Sequence, residues 1–128
     1  MRAFENTVRS ELSWLLRAGV PPRGLRISVR ELVVAHITHE PTGPRDVEDA
    51  VEAAVRAACR LVRELDAPDE IVEMVCRAAL EAVRGHGGES ARFLGGATSA
   101  ASDVVDEMAR EHAEEPIWSW LSRRLERW

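Results

Sequence analysis

The chain has 128 residues, 45% of them hydrophobic, with a net charge of −5. That is enough for one domain, 1–128, with a core that needs no disulfide or metal staple. All 17 basic residues are Arg, and Lys, Tyr and Gln are absent, which excludes a Schiff-base lysine, a phosphate-loop lysine and a tyrosine acid/base. The arginine, alanine, valine and glycine bias points to a GC-rich bacterial genome.

The first helix is predicted over about Ala3–Ala18, with Phe4, Val8, Leu12, Leu15 and Leu16 on one stripe. Gly19 ends it and Pro21-Pro22 prevent resumption. Trp14 lies off the stripe. Residues 25–39 read two ways. Leu25, Ile27 and Val29 alternate like a strand, whereas Ser28 and Glu31 fit a capping box with an Ile27–Leu32 staple. The second pattern predicts a helix from Val29 to about His39.

Helices over about 46–65 and 69–84 follow, each with a broad apolar arc. Only Asp66 to Pro68 separate them, so they should pack as a central antiparallel hairpin. A further helix should start at a Ser90 cap and run to about Ala113, and a short one should follow Pro116. The expected fold is an all-α bundle of five or six helices.

Net negative charge argues against nucleic acid as a partner. The charge is uneven. Residues 1–30 carry Arg2, Arg9, Arg17, Arg23, Arg26 and Arg30 against Glu5 and Glu11. Residues 103–115 carry Asp103, Asp106, Glu107, Glu111, Glu114 and Glu115 against Arg110. Such a dipolar surface suits head-to-tail pairing or a dimer. No apolar run approaches membrane-spanning length, and Glu5, Arg9 and Glu11 break up any signal-like segment. A reduced, cytoplasmic protein is the expectation.

No catalytic set is visible. The residues with metal character are His36, His39 and Glu40, which share one helical face, with His112 as a remote fourth ligand. Zn²⁺ or Fe²⁺ would be the cofactor of such a site; a buried His36 with its neighbours at a fraying helix end is the plainer reading. Cys59 and Cys76 lie eight and nine residues to either side of Ala67, level across the hairpin and at the edges of its apolar arcs. They read as apolar fillers before they read as a redox pair. His86, flanked by Gly85 and Gly87, reads as a loop residue.

Gly95 and Gly96 in a helical pattern cost about 1 kcal/mol each against Ala. With Ala97 and Ala101 they mark close helix packing, or a surface for a small ligand. On the last helix Ile117, Trp118, Leu121, Leu125 and Trp128 form a stripe, while Trp120 lies off it, one turn from Arg124. Off-stripe tryptophans are favoured at interfaces. Trp14, Trp120 and Arg124 therefore point to a non-enzymatic interaction or assembly protein, a homodimer or a subunit pairing with another protein. A metal-binding helical protein and a small-ligand-binding bundle are the alternatives.

Overall fold

The computed structural model describes residues 2–39, 44–85 and 93–111, and places five helices there: α1 (Arg2–Arg17), α2 (Pro22–His39), α3 (Pro44–Leu65), α4 (Glu70–Gly85) and α5 (Leu94–Glu111). The fold is an all-helical bundle, and no strand forms among the described residues. The expected helix after Pro116 lies outside them.

In α1, Phe4, Val8, Leu12 and Leu15 are buried, as their spacing predicts. The helix closes on Gly19, whose φ of 75° only glycine adopts without steric cost. The Val20 N–H donates to the Leu15 carbonyl at 3.0 Å and the Gly19 N–H to the Leu16 carbonyl at 3.2 Å, which satisfies two of the orphaned carbonyls.

Helix α2 differs from expectation. It begins at Pro22, seven residues before Val29. Proline suits a first helical position because its missing N–H would have no partner there. The Pro21 carbonyl accepts from the Gly24 N–H at 2.9 Å and the Leu25 N–H at 3.2 Å. Ser28 is thus mid-helix and caps nothing. Leu25, Val29, Val33 and Ile37 form a buried stripe at every fourth residue, while Ile27 is 41% exposed. The strand-like alternation of Leu25 and Ile27 is coincidental.

The α3–α4 hairpin forms as predicted. α3 touches α1, α2, α4 and α5. Its buried residues, from Val47 to Val62, cover about two thirds of its circumference and are mostly Ala and Val. Small side chains let several neighbours approach one helix closely. Asp66 ends α3 with φ 51°, and the Ala67 N–H donates to the Val62 carbonyl at 2.9 Å. This repeats the closure at Gly19 with a non-glycine residue.

In α5, Ala97, Ala101, Val104, Val105 and Met108 are buried, and Phe93 and Leu94 pack against the same core. Its predicted cap, Ser90, lies outside the described residues. One continuous core cluster draws on all five helices. Among the described residues, no helix is long and apolar enough to cross a membrane.

Candidate functional site

Trp14 sits in the last turn of α1, about 200° round the helix from Leu12 and about 100° from Leu15 at 100° per residue. It consequently points away from the core and is 66% exposed. It borders a surface recess of ≈ 540 Å³ between α1 and the end of α3, lined by Arg9, Ser13, Arg17, Leu61 and Leu65 among others. Arg9 forms an ion pair with Glu64 across that boundary. Trp14 and Ile27 are the large hydrophobic residues left exposed among the described residues. Both lie within two turns of the α1–α2 connection. Trp120 and Arg124, the other interface candidates, lie outside the described residues.

Ion pairs tie the outer helices to the inner ones. Arg56 on α3 reaches Glu107 on α5 at 3.0 Å and Glu5 on α1 at 3.9 Å. Arg60 binds the same Glu5 at 2.7 Å, and Arg26 on α2 pairs with Glu81 on α4. The hydrogen bond from Arg56 holds the Glu107 carboxyl below its usual range. Glu107 in turn raises the Arg56 guanidinium. These are mostly surface pairs, worth about 0–1 kcal/mol each. Glu5 is the most shielded member, with its side chain 12% exposed.

One turn from Arg56, the charges are all of one sign. Burial raises the Glu52 carboxyl, as do the neighbouring Asp49, Glu48 and Asp103, with Arg56 acting the other way. Carboxylates from α3 and α5 therefore share one patch. The 48, 49 and 52 spacing was readable as one helical face, but Asp103 joins it only through the packing of α5 on α3.

Of the metal candidates, His36 alone has a described side chain. Its ring is half-buried and stacks on Phe4, with centroids 4.1 Å apart and planes 22° from parallel. That contact gives His36 a packing role between α1 and α2. Glu40, His112 and the His39 side chain lie outside the described residues, as does the loop residue His86. Among the described residues there is no group of three His, Cys, Asp or Glu placed to hold a metal.

Cys59 and Cys76 are free thiols and fully buried, deeper than the arc edges to which periodicity assigned them. Burial pushes the Cys59 thiol up to about 12. It pushes Cys76 well above the usual value too, and nearby Cys59 adds to that shift. Protonated, enclosed thiols are poor nucleophiles.

The two glycines of α5 behave differently. A Cβ on Gly95 would meet open space, whereas one on Gly96 would collide with the carboxylate of Glu48. The close approach is therefore by an α3 side chain, not by another backbone. Ala97 and Ala101 are buried in the helix contact. A smaller recess of ≈ 180 Å³ lies between α4 and α5, lined by Arg77, Leu80, Glu81, Arg84, Leu94 and Thr98, not by those glycines or alanines.

No family model matches the chain, and comparison with curated proteins and with solved structures finds no match either.

Proposed function

We propose that this chain is a non-enzymatic interaction or assembly protein that works as a homodimer in the cytoplasm of a bacterium. The observation that supports this most is the 66% exposure of Trp14, a large aromatic flanked by Arg17 beside a recess. Exposed tryptophan rimmed by arginine suits an interface, where both residue types are enriched. The reading extends to Trp120 and Arg124 from their place in the sequence alone.

Sedimentation tests it. The protein should self-associate at micromolar concentration. Trp14→Ala should weaken assembly by about 2 kcal/mol, roughly thirtyfold, with helix content intact. A monomer at high micromolar concentration removes the self-association and leaves another protein as the partner.

A further inference from the structure

The stretch from Leu12 to Arg30 contains Arg17, Arg23, Arg26 and Arg30 and no acidic residue. It forms the tip of the α1–α2 hairpin, and it holds both Trp14 and Ile27. Arg26 is committed to Glu81. Arg17, Arg23 and Arg30 are exposed and form no ion pair among the described residues. The tip therefore carries surplus positive charge and two exposed apolar side chains.

The acidic patch of Glu48, Asp49, Glu52 and Asp103 has the opposite sign. Favourable interaction with the helix N-terminus accounts for acids in the first turn of α3, but the effect fades beyond that turn. Glu48, Asp49 and Glu52 follow the first turn, and the Glu52 carboxyl is raised by its burial and then by its acidic neighbours.

The two poles lie toward opposite ends of α3. Trp14 and Arg17 border Leu61 and Leu65, nine to seventeen residues from the 48–52 segment. At 1.5 Å per residue that is about 14–25 Å, beyond the reach of any side chain. A molecule cannot neutralise its own poles. A polyanion would meet the tip but offer the acidic patch only charge of its own sign. A second copy is the partner for which both poles count.

Resting on the homodimer reading above, we infer that the dimer is reciprocal. The Arg17/Arg23/Arg30 tip of each copy, which also exposes Trp14 and Ile27, seats against the Glu48/Asp49/Glu52/Asp103 patch of the other. Two antiparallel copies make the same contact twice, so the pair closes without leaving a pole for a third. The charges select the partner and the antiparallel register, and Trp14 and Ile27 supply apolar surface to bury.

Charge reversal tests this in the full chain. One variant carries Arg17→Glu, Arg23→Glu and Arg30→Glu; a second carries Asp49→Arg and Asp103→Arg. Each should stay helical by circular dichroism and lose self-association by at least about tenfold, because reversed poles repel. Their equimolar mixture should restore a species of twice the monomer mass. If the wild type dimerises but the tip variant dimerises equally well, the inference fails and the homodimer reading stands. If both variants are monomeric and helical yet do not combine, the inference fails too. Loss of binding to a short DNA oligonucleotide by a tip variant that still dimerises would assign the tip to nucleic acid and overturn it. A monomeric wild type overturns both.

Discussion

Helix α3 and the α1–α2 hairpin spend their apolar residues differently. α3 buries its small Ala and Val side chains against four neighbours and, among its described residues, keeps no exposed apolar side chain for a partner. The hairpin buries one stripe from each helix and leaves Trp14 and Ile27 outside. Burial on several sides secures a scaffold; burial on one side leaves a surface. The contrast assigns the apolar part of recognition to the hairpin and leaves α3 only its charged outer face to contribute.

The sharpest way to break that contrast lies within α2, at two positions two residues apart. Leu25 is 1% exposed and Ile27 41%. Leu25→Ala should destabilise the fold by about 3 kcal/mol, as buried leucines do. Ile27→Ala in the monomeric protein should change stability by less than about 0.5 kcal/mol. Chemical denaturation reads both. Equal losses would put the two side chains on one buried face, the strand-like arrangement that helix α2 rejects.

That pair also marks what the sequence could reveal. The helices α1, α3 and α4 were legible because their apolar residues recur at helical spacing and their ends carry Gly19 or the short Asp66–Pro68 link. The early start of α2 was not, because Ser28 and Glu31 imitate a cap while Pro22 supplies the true start. Trp14 was legible as outward-facing from its angle on α1. Ile27 was misread as the staple residue ahead of a Ser28 cap, a position that the true start at Pro22 moves into the helix. The Glu5–Arg60 pair and the entry of Asp103 into the acidic patch were beyond reach, since both depend on how separate helices pack. The enclosure of Cys59 and Cys76 was underestimated for the same reason: α3 and α4 each pack against several helices, which their own arcs do not record.

A smaller effect should come from the two helix closures. Gly19 and Asp66 end α1 and α3 with positive φ, at 75° and 51°. An L side chain there costs about 1 kcal/mol, less for Asp than for most residues. Asp66→Gly should therefore raise stability by about 0.5 kcal/mol. Gly19→Ala should lower it by about 1 kcal/mol even though the site is open, because the penalty comes from the backbone. Thermal melts of the two variants should move in opposite directions. A loss in Asp66→Gly would mean that the aspartate side chain does more for the hairpin than its backbone conformation costs.

The smallest effect is electrostatic and turns on pH. Glu52 and Glu107 both lie near Arg56, yet their carboxyls shift in opposite directions. Glu52 is raised by burial and then by Asp49, and Glu107 is lowered by its hydrogen bond from Arg56. A carboxyl whose folded pKa lies above its unfolded value favours the fold when protonated. Its stabilisation is complete below the unfolded pKa and is lost as pH rises through the folded one. A carboxyl with a lowered folded pKa does the reverse: its stabilisation is present above the unfolded pKa and disappears as pH falls through the folded value. Glu52→Gln should thus raise the melting temperature at pH 7, with the gain fading toward pH 3. Glu107→Gln should lower it at pH 7, with the loss fading over the acidic range. Melts of both variants across pH 3–8 read the sign directly. If Glu52→Gln destabilises at neutral pH, its charge is serving Arg56 more than it suffers from Asp49, Glu48 and Asp103, and the acidic pole is weaker than its four carboxylates suggest. If it stabilises there, the Glu52 charge is a standing cost within one copy, set first by its burial and then by Asp49, Glu48 and Asp103, which a cationic surface from a second copy would relieve.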